Sequence, residues 1–305
     1  MKILIFVLCL GFSGVLLAAD CPATRVFSHE LGETCINDVP KRIVVLEYSF
    51  LDQLGVLEIQ PIAYAQDAMP AYLKPYTQSS TNIGSRKMPS LEKIISLKPD
   101  LIIADKRLHA NIYAQLSAIA PTIVRNGMRG GLNDQFATLR QVAKIVGKVE
   151  QAERAINETE EKIIQRRYLE PNKTAVIGVF RPGSMSAHGS ESFLGSLIES
   201  LGYTVALKTR SGNRQYYLDL EGLAAINPDV LILMCSADAQ DALNQLLSNP
   251  LFRVLKAVKH QHLYIVPKML WAKGRGVLGV NRILDTANTT GLLAYKASIN
   301  HHCIE

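Results

Sequence analysis

The segment SLEKIISLKPDLIIA at residues 90–104 decides the fold, because most of its pattern returns as DLEGLAAINPDVLIL at residues 219–233. In each copy, a Leu-Glu pair opens an apolar run at helical spacing, and a Pro-Asp pair ends it. The residue before a proline is disfavoured in the helical conformation, so the helices are predicted to end at Lys98 and Asn227. Each copy closes with continuous apolar residues, which are typical of a strand covered on both faces. The repeat predicts two similar lobes.

Helix and strand patterns also alternate outside the repeat. The apolar positions of the first predicted helix are assigned to one buried face, namely Leu91, Ile94, Ile95 and Leu97. Apolar or β-branched runs predict strands at residues 42–47, 61–65, 101–104, 121–124, 175–180, 204–207, 230–233 and 263–267. Strands that are separated by helices form a parallel sheet covered by those helices. The predicted fold class is therefore α/β in both lobes.

A long helical pattern lies between the two lobes. Apolar residues recur at spacings of three and four across residues 133–168, and Gly147 is the expected break. No glycine or proline follows until Pro171, which predicts one stiff connecting helix. The predicted organisation is a signal peptide at 1–19, an N-terminal α/β lobe at 20–147, a connecting helix at 148–169 and a C-terminal α/β lobe at 170–305.

The first residues have the pattern of a secretory signal. Lys2 precedes a nearly continuous apolar run that is short for a membrane span and that ends in Ala18 and Ala19. We predict cleavage near Ala19 and export to the periplasm. An uncleaved membrane anchor is one alternative. A lipoprotein anchored through Cys21 is another, although Asp20 stands where lipoprotein processing requires a small residue.

Export makes disulfide bonds possible. Cys21 and Cys35 flank a predicted hairpin and form the best candidate pair. Cys235 ends an apolar run and is interpreted as a buried thiol, while Cys303 has no evident partner. Once the signal is removed, four cysteines allow three pairings, and the sequence leaves these open.

Composition and motif content exclude several classes of function. The chain has 305 residues, of which 48% are hydrophobic and 20% charged, and its net charge of +6 comes without long basic runs. Nucleic acid is therefore not a predicted partner. A nucleophile elbow, a phosphate-binding loop and a dinucleotide fingerprint are all missing from the sequence, so an α/β enzyme is only a remote alternative. The histidines form no ligand set that ties both lobes together, so no cofactor and no directly bound metal are predicted.

Several stretches together resemble a known family. They are RIVVLE at 42–47, PSLEKI at 89–94, LKPDLIIAD at 97–105, His109-Ala110, AIAP at 118–121, Trp271-Ala272, Arg275-Gly276 and Arg282-Ile283. With these segments, the chain resembles the periplasmic substrate-binding proteins of iron-chelate (siderophore-type) ABC importers, in particular members that bind ferric dicitrate. The resemblance implies two α/β lobes bridged by one long rigid helix, with the ligand in a cleft between the lobes.

The resemblance also implies a function. We expect a monomeric, non-enzymatic protein that captures an anionic ferric chelate and delivers it to an ABC permease dimer in the inner membrane. Ferric citrate is the first expectation for the cargo, and another siderophore, haem or a corrinoid are the alternatives. Iron would be bound only as part of the chelate.

Arginines follow the predicted strands at the places where such a ligand would lie. Ligands of parallel sheets bind outside the carboxyl ends of the strands, and a carboxylate-rich anion needs guanidinium partners. Five residues are the main ligand-binding candidates, with the tryptophan as an apolar wall: Arg86, Arg107, Arg181, Trp271 and Arg275. Weaker candidates are His109, His188, Arg214 and Tyr217. The alternative is a solvated charge for each arginine and a structural role for each histidine.

Two glutamates occupy the same place in the two copies of the repeat. Glu92 and Glu221 both lie in the first turn of a predicted helix. The resemblance implies that they contact the two permease subunits, one from each lobe. The alternative is that each carboxylate only stabilises the positive end of its helix dipole.

Overall fold

The structure is a computed structural model that describes residues 21–22, 25–169, 172–208, 215–298 and 302–303. The predicted signal peptide at residues 1–19 therefore lies outside the described residues, as does Arg214. None of the helices within the described ranges is both long enough and apolar enough to cross a membrane.

The first half of the chain alternates strands and helices, as the sequence predicts. Its elements are β1 (Val26–His29), β2 (Gly32–Cys35), β3 (Ile43–Val45), α1 (Tyr48–Val56), β4 (Ala63–Tyr64), β5 (Thr81–Asn82), α2 (Leu91–Ser96), β6 (Leu101–Asp105), α3 (Lys106–His109), α4 (Tyr113–Ile119), β7 (Thr122–Arg125) and α5 (Leu132–Val146). Strands β3 to β7 form one sheet in the order β5-β4-β3-β6-β7, and every pair in it is parallel. The hairpin of β1 and β2 forms a separate small sheet.

The second half also carries one main sheet. Its elements are α6 (Val149–Gln165), β8 (Thr174–Arg181), β9 (Ser184–His188), α7 (Phe193–Ser200), β10 (Thr204–Val205), β11 (Gln215–Leu218), α8 (Leu220–Ile226), β12 (Val230–Cys235), α9 (Gln240–Ser248), α10 (Pro250–Arg253), α11 (Lys256–Lys259), β13 (Leu263–Pro267), α12 (Lys268–Lys273) and α13 (Val277–Thr289). The strand order is β11-β9-β8-β12-β13, with β10 beside β8. Strands β8, β12 and β13 are parallel, whereas β9 runs antiparallel to both of its neighbours.

The repeat predicted from the sequence is confirmed as a helix, a turn and a buried strand in both halves. The Ser90 side chain caps α2 by accepting from the Lys93 backbone at 3.3 Å. Asp219 caps α8 by accepting from the Gly222 backbone at 2.8 Å. Both helices then end at a left-handed residue, with φ of 46° at Lys98 and 47° at Asn227. The two copies therefore share their start, their stop and an unusual backbone conformation.

The left-handed backbone at these two residues leads to a prediction about stability. A left-handed backbone costs an ordinary L-residue roughly 1–2 kcal/mol, whereas glycine adopts it freely but loses more entropy on folding. We expect Lys98→Gly to raise the free energy of unfolding by roughly 0.5–1 kcal/mol in urea denaturation. Asn227→Gly is the matched variant and should gain less, because asparagine tolerates the left-handed region. Equal gains, or a loss at Lys98, would contradict this explanation.

One assignment within the first helix is wrong. Ile94 is fully buried, and Leu91 and Leu97 pack against the core, but the Ile95 side chain is 57% exposed. Helix α2 is only six residues long, so its buried stripe is too narrow to include two successive isoleucines. Ile95 therefore lies on the outer surface of α2, which also carries Glu92.

The predicted connecting helix exists but is shorter than expected. Helix α6 has 17 residues, which corresponds to about 26 Å, instead of the predicted span of residues 148–169. Its buried positions are Ala152, Ile156, Thr159 and Ile163, and it packs against α5 and α13. The helix is capped at Arg166, whose backbone N–H donates to carbonyl groups of the last helical turn. The domain boundaries drawn at this helix remain predictions.

A continuous apolar core lies along the inner side of both sheets. It contains Leu54 of α1, Phe136 of α5, Ile156 of α6, Leu197 of α7 and Ile283 of α13. The outer face of each sheet has its own core. Helices of both halves share this core and hold the two sheets together. The segments that follow the strands are thereby fixed in position.

The described part of the chain contains two disulfide bonds. The predicted bond between Cys21 and Cys35 is confirmed. The interpretation of Cys235 as a buried thiol is wrong, because Cys235 is bonded to Cys303 across 68 residues of sequence. Strand β12 ends at Cys235, so this second bond attaches the C-terminal tail to the carboxyl end of the main sheet.

Candidate functional site

Arg86 is fixed at the carboxyl ends of the first sheet by two acids. Its Nη1 donates to Glu47 Oε1 at 2.9 Å, and its Nε donates to Asp67 Oδ2 at 3.0 Å. Glu47 directly precedes α1 and is 4% exposed, while its other oxygen accepts from the backbone and hydroxyl of Ser49. The sequence predicted Arg86 at this edge but did not anticipate the acids. They hold the guanidinium in one orientation and offset part of its charge.

Tyr48 brings a second cation into the same site. The guanidinium carbon of Arg86 lies 4.2 Å from the centre of the Tyr48 ring, and Lys273 Nζ lies 5.6 Å from it. Lys273 also donates to the carbonyl of Ala68 at 2.7 Å. Burial, and secondly the charge of Arg86, lower the pKa of Lys273. Because Lys273 ends α12, this contact joins the second half of the chain to the loop after β4.

Arg275 makes a further contact between the halves. It follows α12, and its Nη1 donates to the carbonyl of Met128, beyond the end of β7, at 2.6 Å. Burial lowers the pKa of Arg275, and the Glu47 and Asp105 carboxylates partly offset this effect. Arginine remains charged at neutral pH even so. The charges of Glu47, Asp105 and Arg86 therefore all act on Arg275, which joins it to the charged cluster around Arg86.

His188 is the least satisfied polar side chain near this cluster. It ends β9, is 5% exposed, and neither of its ring nitrogens has a hydrogen-bond partner. Burial, together with the positive charge of Arg275, lowers the pKa of His188 to about 3. A buried polar group without a partner costs about 1–3 kcal/mol. Such a group is accounted for if a ligand supplies the missing hydrogen bond.

The neutral state of His188 can be tested through pH. The unfolded chain binds a proton near the ordinary value of 6.5, whereas the folded protein resists protonation down to about 3. The free energy of unfolding should therefore fall as the pH falls through this window, by up to about 1.4 kcal/mol per pH unit for this group. We expect His188→Gln to flatten the dependence measured by urea denaturation from pH 7 to 4.5. The exposed His260 offers the matched variant His260→Gln, and an equal flattening there would contradict the assignment.

His109 has a structural role, which was the alternative stated for it. Its Nδ1 accepts from the Asp105 backbone at 2.9 Å, and its Nε2 lies 2.7 Å from the Arg86 carbonyl, which requires the Nε2–H tautomer. Burial lowers the pKa of His109 and favours this neutral form. The ring is fully buried and both nitrogens are used. His109 thus holds the backbone of Arg86 and has no free atom for a ligand.

Asp105 holds two of the segments that surround the charged cluster. One of its oxygens accepts from the backbones of Arg107 and Leu108, and the other accepts from Met128. Burial, and secondly the Glu47 carboxylate, raise the pKa of Asp105 to about 6. The residue therefore ties the start of α3 to the segment that receives Arg275.

The assignment of Trp271 to a cleft wall is wrong. Its side chain is fully buried in the inner core, and its indole Nε1 donates to Thr286 Oγ1 of α13 at 2.9 Å. Helix α12 ends at Lys273, so Arg275 lies beyond it and helical spacing does not place Arg275 on the face of Trp271, even though the two residues are close in sequence. Trp271 fixes α12 to α13 and thereby supports the position of Lys273.

Three other candidates lie apart from the charged cluster. Arg181 is exposed at the end of β8, next to the tight turn into β9, and within the described ranges its side chain makes no hydrogen bond or ion pair. Tyr217 is 79% exposed on the edge strand β11. Arg107 is exposed and lines a pocket of the first half, although its charge reaches Arg275. Their role as ligand contacts stays a prediction.

The two glutamates of the repeat are both exposed. Glu92 lies in the first turn of α2 and Glu221 in the first turn of α8, and within the described residues neither side chain has an ion-pair partner. This geometry suits a contact with another protein, and it also suits the helix-dipole alternative.

No group of three or more His, Cys, Asp or Glu side chains within the described ranges is arranged to hold a metal ion. The site instead consists of Arg86, Lys273, Arg275 and His188, held by Glu47, Asp67 and Asp105. Of these, Lys273 and the three acids were missed. The signal that could have found them is the one used for the arginines, since Asp105 is the last residue of a strand and the other three come after a strand's carboxyl end.

Known proteins share this architecture and much of the sequence. The family model described as periplasmic binding protein matches residues 43–270. The Fe(3+)-citrate-binding protein YfmC of Bacillus subtilis is 36% identical over 260 residues, which cover 83% of this chain and 82% of that protein. The Fe(3+) dicitrate-binding periplasmic protein FecB of Escherichia coli is 31% identical over 281 residues, which cover 89% and 92% of the two chains.

Solved structures of low sequence identity show the same fold. The structure of Staphylococcus aureus SirA complexed with staphyloferrin B superposes with a TM-score of 0.74 at 22% identity. The match covers 87% of this chain and 97% of that structure. The predicted α/β fold with two lobes is thereby confirmed.

Proposed function

Since the chain belongs to the periplasmic binding protein family, we propose that it captures an anionic ferric chelate between its lobes and delivers it to an ABC permease. This family consists of binding proteins and not of enzymes, so the non-enzymatic assignment is confirmed. Ferric citrate is the proposed cargo, because relatives at 36% and 31% identity carry ferric citrate in their names. Another siderophore, haem or a corrinoid remain the alternatives.

The cation cluster is the observation that carries this proposal. Arg86 belongs to the first half of the chain, while Lys273 and Arg275 belong to the second, and all three lie where segments beyond the two sheets meet. A ferric citrate complex presents several carboxylate oxygens around a buried iron. Charged hydrogen bonds shielded from water contribute about 1.5–3 kcal/mol each. Such an anion would be held by both halves at once.

The acids in the site have a positioning role in this proposal. Glu47 is buried and orients Arg86. Asp67 is 37% exposed, so a ligand oxygen can more easily replace it as the acceptor of the Arg86 hydrogen bond. His188 supplies a neutral imidazole beside Arg275, which can donate to or accept from the chelate. The site would therefore recognise both charge and hydrogen-bonding pattern.

Calorimetric titration tests the cargo. We expect saturable binding of ferric citrate, with iron-free citrate binding at least tenfold more weakly, because iron assembles the carboxylates into one rigid anion. Haem and a hydroxamate siderophore serve as the comparison ligands. Tighter binding of either would replace ferric citrate as the cargo. Recovery of the chelate unchanged after binding separates a carrier from an enzyme.

Periplasmic location after removal of residues 1–19 is also part of the proposal. Similar proteins include both periplasmic proteins and lipoproteins. The Cys21 sulfur forms a disulfide with Cys35, and a sulfur in a disulfide cannot carry a lipid thioether. This supports a soluble periplasmic protein over the lipoprotein alternative. The intact mass of the exported protein distinguishes the two, because a lipoprotein would retain its acyl chains.

A further inference from the structure

Two large apolar side chains project into solvent at equivalent places, just before the two copies of the repeat. Met88 is 82% exposed and Tyr217 is 79% exposed. Each stands two residues before the residue that caps the repeat helix, which is Ser90 in the first half and Asp219 in the second. Within the described residues, Leu169 is the only large apolar side chain that is more exposed. A single exposed apolar residue needs no explanation, but two at the same place in both halves do.

The backbone that carries these two side chains is held in place. The Met88 N–H donates to Ser85 Oγ at 3.2 Å. Tyr217 pairs with Ser186 in the antiparallel contact of β11 with β9. A side chain on a fixed backbone costs less entropy when a partner buries it. Tyrosine and methionine are also enriched in protein interfaces, so both residues are suited to be interface anchors.

The two copies also agree in the direction of the neighbouring side chains. Pro89 directly follows Met88 and is buried. Leu218 directly follows Tyr217 and packs against the outer core of the second sheet. In each half, an outward apolar residue is therefore followed by an inward one and then by the helix cap. The exposure of Met88 and Tyr217 is thus a shared feature of the two halves.

The carboxylates beyond the caps indicate which kind of partner would cover these side chains. Glu92 and Glu221 follow the caps by two residues, are both exposed, and have no ion-pair partner among the described residues. An apolar side chain close to a free carboxylate fits a surface that offers an apolar socket close to a cation. The chain presents this combination once in each half. A partner with two equivalent surfaces can use both at once, as a dimeric permease would.

We propose that Met88 and Tyr217 are a pair of apolar anchors, each of which inserts into an apolar socket on one of the two permease subunits. This pairing rests on the function proposed above, and it adds a second kind of contact to the one expected for the two glutamates. Exposed carboxylates guide the encounter and are screened by salt, whereas buried apolar anchors slow dissociation. Tyr217 is thereby assigned to the permease contact and not to the chelate.

Uptake at different concentrations of the purified protein tests the anchors. Spheroplasts of the producing cells, washed free of periplasmic proteins, receive the protein loaded with radioactive ferric citrate. We expect Met88→Ser and Tyr217→Ser each to raise the protein concentration that gives half-maximal uptake by about fivefold, and the double variant by about 25-fold, because independent contacts are additive in free energy. Leu169→Ser, at an 85% exposed side chain outside the repeat, is the matched control and should change nothing.

Salt separates the anchors from the glutamates. Added salt should raise the half-maximal concentration of the Met88 and Tyr217 double variant by the same factor as that of the unchanged chain, because an apolar contact is not screened. Both side chains are exposed, so the melting temperature and the calorimetric affinity for ferric citrate should be the same as in the unchanged chain.

Several outcomes would overturn the proposal. They are an unchanged half-maximal concentration in the double variant, an equal effect of Leu169→Ser, or weaker ferric citrate binding in Tyr217→Ser, which would return Tyr217 to the ligand contacts. Self-association in sedimentation that the double variant abolishes would assign the surface to a second copy of the chain. Binding to protein-free lipid vesicles that the double variant abolishes would assign it to the bilayer. If the unchanged protein binds ferric citrate but supports no uptake, delivery to a permease fails, and the anchors fail with it.

Discussion

Arg275→Ala is expected to lower the affinity for ferric citrate at least tenfold. Arg275 lies where the two halves of the chain meet, and its guanidinium is held in place by the Met128 carbonyl at 2.6 Å. A tenfold change corresponds to about 1.4 kcal/mol, which is at the lower end of the contribution of one charged hydrogen bond shielded from water. Arg275→Lys keeps the positive charge but loses the planar guanidinium group. Its affinity for ferric citrate should therefore lie between that of the unchanged chain and that of Arg275→Ala.

The same substitution should barely change the melting temperature, because two effects oppose each other. The hydrogen bond to Met128 is lost. However, a partly buried positive charge is also removed, together with its repulsion from Arg86 and Arg107, which contributes to the lowered pKa of Arg275. A large loss of stability would mean that Arg275 mainly holds the two halves together.

His188 provides a second readout that does not depend on the ligand. The charge of Arg275 helps to lower the pKa of His188, so this pKa should rise in Arg275→Ala when followed by NMR of the imidazole. Arg154→Ala, at a 67% exposed side chain, is the matched control and should affect neither measurement. Arg181→Ala should reduce affinity less than Arg275→Ala, because Arg181 is exposed at the end of β8. Unchanged affinity in Arg275→Ala would remove Arg275 from the site.

The fold followed from the sequence where the signal is local. The Pro-Asp stops, the helix caps and the continuous apolar strands all act within a few residues, and they recur at Lys98 and Asn227 with nearly the same φ. The antiparallel strand β9 was missed. Its turn was visible in the sequence, because Pro182 and Gly183 follow β8, and Gly183 has a φ of 75° in the structure.

Long-range pairings could not be derived in the same way. Cys235 and Cys303 meet because the C-terminal tail returns to the end of β12, and nothing close to either cysteine in the sequence encodes that path. Trp271 was misassigned because closeness to Arg275 in sequence was taken for closeness in direction. The hydrogen bond from its indole to Thr286 depends on how α12 packs on α13.

In the candidate site, too, local features could be predicted from the sequence and long-range contacts could not. The rule that ligands lie beyond the carboxyl ends of strands pointed to Arg86 and Arg275, and the charge of Arg86 does act on Arg275. It could not give the partners that fix them, because Glu47 and Asp67 follow different strands and meet Arg86 only in the folded sheet. Sequence therefore pointed to Arg86 and Arg275 but not to Lys273, and the fold determines which cations remain available to an anion.

Glu92→Ala combined with Glu221→Ala is expected to abolish chelate uptake by cells while leaving binding of the chelate intact. Both glutamates lie on exposed first turns at equivalent places in the two halves. A permease dimer presents two equivalent surfaces, so a pair of equivalent carboxylates fits one partner with approximate twofold symmetry. Uptake measured with radioactive iron citrate, beside calorimetry on the purified variant, separates delivery from capture.

The helix-dipole alternative makes a different prediction for the same variant. Losing a carboxylate from a first turn costs about 0.3–1 kcal/mol of stability, which would not by itself stop uptake. Glu150→Ala with Glu161→Ala is the matched control, because Glu150 occupies the first turn of α6 and its side chain is 94% exposed. Normal uptake in the Glu92 and Glu221 double variant would show that only the dipole role is real. Loss of chelate binding in the double variant would instead mean that the two carboxylates support the chelate site, because the binding assay contains no permease.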